Sequence, residues 1–272
     1  MTEDSQILTA SSLRHRKRGD LVVGEIKAWI SDRALSPGDR LPKEAELQEI
    51  FGVSRGVIRE ALKVLEVQGL VTLSTGPKGG ARLEVPPFDR TFRFVQNYLF
   101  FQGLSVADIY EQRLLIEPEL AAGAVPYLTE DNFAMMERSI ELSATDAAPD
   151  SEEAMRSRQE DLNFHDVFAR SNPNSMLSFT GQMINETLRT VVEISWAESA
   201  EHYGEFGRSN AEAHRRILSA CRAGDRDQVR DEMRLHILEV RDFVLNRMNA
   251  EIRSELLDDD GMHVRVNIGR RR

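Results

Sequence analysis

Four side chains in the C-terminal half of the sequence have the types and spacing of a metal site. Asp161 and His165 are four residues apart in a segment of helical periodicity, so a carboxylate and an imidazole share one helix face. His214 and His236 each lie on the apolar stripe of a later predicted helix, which points both imidazoles towards the core. Facing helices can bring such groups together, and one carboxylate with three imidazoles suits a borderline divalent metal. We predict one bound ion; zinc is favoured, and nickel and manganese are alternatives because ligand type alone does not select among them.

Each of these imidazoles has a simpler interpretation, as a core histidine satisfied by one hydrogen bond. A lone Asp–His pair on one helix carries little information. The occurrence of four such groups on three predicted helices favours the metal site.

Two further polar side chains are predicted to face the interior of the same region. Arg113 lies on an apolar stripe, where an unpaired cation would be costly to bury, so it needs an anion. That anion is either Glu117 at i+4 or a bound carboxylate, and the sequence leaves both open. Asn185, near the middle of its predicted helix, is a second candidate contact for a ligand.

The elements that must position these groups are helices. Apolar periodicity and end signals predict seven of them, over residues 90–102, 105–123, 129–143, 152–170, 174–199, 209–223 and 225–250. Seven consecutive helices predict an all-helical bundle.

A different pattern occupies residues 41–76, where a short helix, a tight turn, a second helix and a β-type run follow one another. Gly52 turns the chain, Ser54 is placed to cap the second helix, and Gly69 closes it. The run after Gly69 leads into a basic, glycine-rich turn that contains Thr75 and Gly76. This order predicts a winged helix-turn-helix, so the chain as a whole is predicted to be mainly α.

The second helix of that motif carries cations away from its apolar stripe. Arg55, Arg59 and Lys63 lie on the other sides of the helix and are free to meet DNA. The alternative is a helical hairpin whose arginines are merely solvated. The succession of turn, cap, cations and wing favours docking in a DNA groove.

The predicted organisation has five parts. They are a disordered basic arm (1–18), a DNA-binding domain (19–85), a linker (86–89), a helical effector-binding and dimerisation domain (90–250) and a mobile tail (251–272).

Charge and cysteine usage narrow the class of protein. The formal net charge is -10, yet residues 11–86 carry 13 Lys and Arg against 10 Asp and Glu, a local balance of +3. This distribution favours a specific regulator over an indiscriminate nucleic-acid binder. The single cysteine, Cys221, excludes an internal disulfide and a thiolate zinc cluster. With no signal peptide or long apolar stretch evident, we expect a cytoplasmic protein that does not enter the membrane.

The N-terminal motif resembles the GntR family of bacterial transcription regulators. The matching residues are LPKEAEL, GVSR, IREAL and GLV, within residues 20–85. Lys43 stands where the family often has serine and Ala45 where it often has arginine, so one familiar DNA contact is absent. Arg55 and Arg59 match family positions that meet bases or phosphates, and Ser54, Thr75 and Gly76 match positions near the DNA backbone or the wing contact. Gly56, which replaces a small polar residue common in the family, is the sixth DNA-binding candidate.

The C-terminal segment resembles the FCD ligand-binding domain found in the FadR branch of that family. The matching stretches are DIYEQRLLIEPELAAGA, DLNFHDVFARSNPN, NAEAHRRILSACRAGD and MRLHILEVRDF. The resemblance implies a helical bundle with a central cavity that often holds a divalent metal at the positions of Asp161, His165, His214 and His236. It also implies that Arg113 faces the effector.

These observations together predict a homodimeric regulator, by default a repressor, that binds a pseudo-palindromic operator in double-stranded DNA. A small carboxylate or sugar acid, held by the metal and Arg113, would control its affinity for the operator. One alternative is a hydrolase-like metalloenzyme fused to a DNA-binding head, although the sequence lacks H-E-x-x-H and a clear general base. Another is a regulator whose metal is purely structural.

Overall fold

The N-terminal part of the computed structural model consists of three helices and a two-stranded sheet. These are α1 (Ala10–Asp32), α2 (Glu44–Phe51), α3 (Arg55–Val67), β1 (Val71–Ser74) and β2 (Gly80–Leu83). The structure describes residues 10–76, 79–99, 102, 104–144, 151–195, 203–247, 253–257 and 263–267.

Helices α2 and α3 form the predicted helix-turn-helix. Gly52 between them has a φ of 62°, a left-handed conformation that favours glycine. The apolar stripe of α3 is buried, and it packs with Leu47 of α2 and Ile26 of α1 in one core. At the start of α2, the Glu46 carboxylate accepts a hydrogen bond of 3.0 Å from the Lys43 backbone N–H. Glu46 thus supplies one half of a capping box although Lys43 has no hydroxyl.

The wing is an antiparallel hairpin. Val71 pairs with Leu83 and Ser74 with Gly80, so one face of the hairpin covers the core and Thr75 and Gly76 begin the turn. The Leu41 backbone N–H donates to the carbonyl of Ala81 at 2.9 Å, which ties the chain before α2 to the sheet.

Seven helices follow in the described part of the chain, as predicted. They are α4 (Phe88–Leu99), α5 (Val106–Ala124), α6 (Glu130–Ser143), α7 (Glu152–Ser171), α8 (Ser175–Ser195), α9 (Tyr203–Ala223) and α10 (Arg226–Arg247). In the C-terminal unit α5 packs against α10, α7 lies between α6 and α8, and α9 packs against α6 and α10. Their shared core includes Met136, Phe164 and Ile237. The predicted fold class, mainly α with a winged helix-turn-helix and a helical bundle, is confirmed.

Several ends of the predicted segments differ from the structure, among them the start of α9, which lies at Tyr203 rather than at residue 209. Helix α1 begins at Ala10, inside the predicted disordered arm, because Leu, Arg and Lys favour helix even without an apolar stripe; residues 1–9 of that arm lie outside the described residues. Helix α4 begins at Phe88, inside the predicted linker, directly after Pro86 and Pro87. The two units of the chain divide after Arg93 rather than at residues 86–89.

The predicted mobile tail contains an antiparallel hairpin, β3 (Arg253–Leu257) paired with β4 (His263–Asn267). The tail that was predicted to be mobile therefore contains regular secondary structure in these ten residues, and its mobility stays a prediction. The sequence His-Val-Arg-Val-Asn alternates polar and apolar residues, which is the strand pattern. The other residues of the predicted tail lie outside those described.

Candidate functional site

Three buried imidazoles meet inside the helical unit. The Nε2 atoms of His165 on α7, His214 on α9 and His236 on α10 lie 3.2 Å from one another in every pair. The three residues are 2%, 0% and 1% exposed, so water does not reach their rings from the surface. We call these three nitrogens the histidine triangle.

Packing fixes the rings of the histidine triangle. His214 and His236 lie on the buried stripes of their helices, close in sequence to Ile217 and Ile237, both fully buried. The ring of Phe164 stacks on His214 with centroids 3.9 Å apart and planes 10° from parallel. Rotation of the His214 ring would break this stacking, so the position of its Nε2 is set by the core.

The electrostatic surroundings keep two of these imidazoles neutral. Burial, together with neighbouring His165 and Arg113, lowers the pKa of His214 well below its ordinary value. Burial, followed by His214, His165 and Arg113, likewise lowers the pKa of His236. A neutral imidazole has a nitrogen lone pair, which is the form that binds a metal.

The arrangement fits a divalent ion better than three ordinary core histidines. Zinc and similar ions bind imidazole nitrogen at about 2.0–2.1 Å. Three nitrogens 3.2 Å apart can all lie at that distance from one point. The alternative requires the rings to form hydrogen bonds with one another, but each nitrogen of a neutral imidazole is either a donor or an acceptor, so at least one of the three close Nε2 pairs must place two donors or two acceptors together.

Asp161, the predicted fourth ligand, lies beside the triangle. Its Oδ1 is 3.8 Å from Nε2 of His214 and accepts a hydrogen bond from the amide of Asn210. Burial raises the pKa of Asp161, against the opposing effect of His165 and Arg113. Asn210 was not predicted to be part of the site, although its position four residues before His214 places it on the same helix face.

Glu117 connects the triangle to Arg113. Its Oε2 lies 2.8 Å from Nδ1 of His165. Its two oxygens accept hydrogen bonds from Arg113, at 2.6 Å from Nε and 3.2 Å from Nη2. Burial favours protonation of Glu117, but the charges of Arg113 and His165 outweigh burial and lower its pKa to about 2. Of the two anions that the sequence left open for Arg113, Glu117 is the one in contact with it.

The role of Glu117 beside His165 was not foreseen. From the sequence, Glu117 was predicted only as a possible partner of Arg113. Periodicity along α5 does not reveal which residue of another helix Glu117 contacts. A carboxylate at Nδ1 fixes the ring orientation of a ligating histidine and presents Nε2 to the metal.

Asn185 is buried in a polar network with Asp166 and Arg189. Its amide nitrogen donates to Asp166 Oδ1 at 2.8 Å, and Asp166 Oδ2 accepts from Arg189 at 3.0 Å. Asn185 Oδ1 has no hydrogen-bond partner among the described residues. Asn185 is therefore the inward-facing amide that the sequence predicted, and its contact with an effector stays a prediction.

The six residues assigned to DNA lie on the surface of the N-terminal unit. Their positions are the start of α3 for Ser54, Arg55, Gly56 and Arg59, and the end of β1 for Thr75 and Gly76. A cleft of about 200 Å³ between α2, α3 and the wing is lined by Arg59, Lys63 and Thr75, among others. Helix and wing thus present cations and polar groups on one surface.

Ser54 occupies the N-cap position of α3 with an extended backbone, as expected, but its side chain makes no capping hydrogen bond. The predicted cap position of Ser54 is therefore confirmed, although its hydroxyl does not bond the helix. The first turn of α3 lies at the surface, where water can satisfy its backbone N–H groups.

Comparison with known proteins agrees with this geometry. The family described as bacterial regulatory proteins, gntR family, matches residues 19–78, and the FCD domain matches residues 108–239. The chain is a GntR-family transcription regulator with an FCD domain. It is 27% identical to the HTH-type transcriptional repressor NanR of Enterobacter sp. (strain 638) over 248 residues, 88% of this chain and 91% of that protein. It is 30% identical to NanR of Salmonella bongori over 61% of this chain and 64% of that protein.

A solved structure, Streptococcus agalactiae GntR, is similar in fold. The likeness covers 82% of this chain and 98% of that one, with a TM-score of 0.53 and 24% identity. At this identity the similarity supports the architecture of the GntR-family regulator and nothing more specific.

No helix among the described residues of the regulator is both long and apolar enough to cross a membrane.

Proposed function

We propose that this regulator is a repressor whose affinity for its operator is controlled by a small organic acid bound in the FCD domain. The observation that carries the proposal is the histidine triangle, three buried nitrogens 3.2 Å apart in a chain that also bears a DNA-binding domain. Relatives from Enterobacter and Edwardsiella, matched over most of their length, are named transcriptional repressors, which supports repression.

His165, His214 and His236 would hold one divalent ion, with zinc favoured, and Asp161 is the proposed fourth ligand. When bound, the ion would supply a Lewis-acidic charge that attracts a carboxylate oxygen. Glu117 would orient His165 through Nδ1, and burial would keep His214 and His236 neutral and ready to ligate.

The effector is proposed to be a small carboxylate or sugar acid. Arg113 has five N–H donors; Glu117 accepts from two of them, and Nη2 also lies 3.4 Å from Nε2 of His165. Its remaining donors would bind the far end of the effector, and the unpaired Oδ1 of Asn185 would accept from an effector hydroxyl. Because Glu117 offsets the charge of Arg113, the metal would provide most of the attraction for the carboxylate.

Effector binding would act by population shift. An effector that binds one arrangement of the protein better than another changes operator affinity by that difference in binding free energy. We propose a homodimer, because two winged-helix heads related by a two-fold axis can read a pseudo-palindromic operator. Such a regulator would work in the cytoplasm.

The decisive experiment uses the purified full chain and a duplex that it selects from a random DNA library. Small carboxylates and sugar acids are titrated with and without a chelator, while DNA binding and turnover of each acid are recorded. Release of DNA by one acid, abolished by chelation, supports the proposal. Release that survives complete removal of the metal would make the metal structural, and turnover would favour the metalloenzyme alternative. Failure to select any duplex would refute the DNA-binding function.

A further inference from the structure

The carboxylate of Glu44 lies between two arginines of α3, the second or recognition helix of the helix-turn-helix. Its Oε2 accepts a hydrogen bond of 2.9 Å from Nε of Arg55. Its Oε1 is 3.9 Å from Nε of Arg59, within ion-pair range. Glu44 is the first residue of α2, whereas both arginines belong to α3. One acidic side chain from the neighbouring helix therefore contacts both cations assigned to DNA.

Both contacts use Nε, the guanidinium nitrogen nearest the backbone. Among the described residues, Glu44 makes no hydrogen bond to Nη1 or Nη2 of either arginine. Paired N–H donors of this kind match the O6 and N7 acceptors that guanine presents in the major groove. A carboxylate at Nε thus leaves free the edge of each guanidinium that reads guanine.

Stability does not account for this arrangement. The side chains of Arg55 and Arg59 are 71% and 60% exposed, and that of Glu44 is 35% exposed. Ion pairs at this exposure contribute little to folding because water screens the charges. An arginine held in one orientation before binding, however, loses less conformational freedom when it binds. The Glu44 contacts therefore favour recognition of DNA rather than folding.

We propose that Glu44 is a positioning residue that orients Arg55 and Arg59 to read guanines in the operator. This inference rests on the DNA-binding function proposed above. Four residues of helix rise about 6 Å, which corresponds to about two base-pair steps. The two guanines are accordingly expected about two steps apart within each half-site.

Glu44 would also raise specificity by repulsion. Its negative charge lies at the surface that approaches the phosphate backbone, so it disfavours binding that depends on phosphate contacts alone. Specificity is a difference between two affinities, and it grows when the wrong complex is weakened as well as when the right one is strengthened. Ala45, where the family often has arginine, leaves this protein more dependent on the two arginines that Glu44 orients.

The test compares the wild-type chain with Glu44→Gln. Each is used to select duplexes from a random DNA library, and affinities are then measured for the wild-type site and for unrelated DNA. Duplexes in which 7-deazaguanine replaces each selected guanine remove only the N7 acceptor. We expect the wild type to select guanines at the spacing above. Glu44→Gln should lower the ratio of specific to non-specific affinity about three- to fivefold, because a preference for one side-chain orientation cannot contribute more than the exposed ion pairs that maintain it.

Two controls separate positioning from other effects. Glu49→Gln makes the same charge change at an exposed position of the same helix and should keep the wild-type ratio. In an Arg55→Lys, Arg59→Lys background, Glu44→Gln should change the ratio clearly less than it does in the wild type, because the residues that Glu44 positions are already changed and only its repulsion of phosphate remains. Equal thermal unfolding temperatures for wild type and Glu44→Gln would show that the fold is intact.

The outcomes are distinguishable. A wild type that selects no site refutes the proposed function itself. A wild type that selects a site without guanine, or a Glu44→Gln protein that keeps the specificity ratio, overturns the role of Glu44 and leaves the DNA-binding function standing. A loss of specificity of the same size in the double-lysine background shows that Glu44 acts without the arginines and also overturns positioning.

Discussion

Oε2 of Glu117 lies 2.8 Å from Nδ1 of His165, and both side chains are almost fully buried. The same carboxylate is held by Arg113 from the preceding turn of α5. A chain of contacts therefore runs from Arg113 through Glu117 to a member of the histidine triangle. Substitution of Arg113 or Glu117 should consequently change the metal affinity as well as the free energy of unfolding.

Glu117→Gln should weaken metal binding about 10- to 100-fold, the usual cost of losing an outer partner of a metal ligand. The amide can still face His165, but it lacks the negative charge that strengthens the imidazole as a ligand. Competition with a chromophoric chelator measures the affinity. The matched control is Glu111→Gln, an exposed glutamate on α5. Equal metal affinities for the two variants would contradict the role of Glu117.

In a second pair of variants, the free energy of unfolding and the metal affinity should respond differently. Glu117→Leu alone leaves the Arg113 cation buried without its partner and should lower the free energy of unfolding by about 3–5 kcal/mol. Arg113→Met combined with Glu117→Leu should recover most of that loss, since an apolar pair of similar volume can replace a buried ion pair. Metal affinity should stay low in the double variant because His165 still lacks its carboxylate. Urea unfolding of the chelated proteins provides the comparison. Recovery of metal affinity along with stability would show that Glu117 acts only as the counter-ion of Arg113.

The inward positions of the histidines could be predicted from sequence because helical periodicity is local. His214 shares its face with Ile217 and Leu218, so burial of the stripe buries the imidazole. Periodicity gives no information on which helices face one another. The contact between Glu117 and His165, and that between Glu44 and Arg55, depend on packing between separate helices and became visible only in the fold.

Local rules also failed in places where several signals competed. Ser54 has the residue type and position of a helix cap, yet its hydroxyl makes no capping bond. Residues 263–267 alternate like a strand, but their position after the last helix suggested a mobile tail. Side-chain rotamers and pairing partners, which decide these cases, are set by neighbours that the local sequence does not specify.

His214→Ala should lower metal content, effector affinity and stability together. A metal that binds only the folded protein adds its binding free energy to folding, about 4 kcal/mol when its free concentration is a thousand times its Kd. The wild type should therefore unfold at a lower temperature after chelation, whereas His214→Ala should unfold at the same temperature with or without chelator. Elemental analysis checks the metal content directly. A chelator-insensitive wild type would refute the metal's contribution to stability.

Cys221 should be unreactive in the folded regulator. The thiol is buried on the same apolar stripe of α9 as His214, and burial raises its pKa to about 12. At pH 8 the lower thiolate fraction alone should slow alkylation about a thousandfold relative to an exposed thiol of pKa about 8.5. Because the pKa of Cys221 is higher in the folded than in the unfolded protein, the thiol contributes fully to the free energy of unfolding below the unfolded pKa. This contribution is lost as the pH rises through 9 and above. Iodoacetamide labelling followed by mass spectrometry, with urea-unfolded protein as the control, measures the rate. Rapid labelling of the native protein would contradict burial of the thiol.

Arg59→Ala should weaken binding to the selected operator by about 1–3 kcal/mol if the guanidinium contacts a base edge, and binding to unrelated DNA much less. The fold should be unaffected, because the side chain is 60% exposed and its contact with Glu44 is at 3.9 Å. A phosphate contact would instead weaken binding to all sequences alike and lower the salt dependence by about one unit of slope. Titrations of both duplexes at several salt concentrations distinguish the two contacts. Arg33→Ala, a change of the same type at an exposed arginine just after the end of α1, serves as the control for net charge. Unchanged affinity of Arg59→Ala for every duplex would remove Arg59 from the DNA-binding surface.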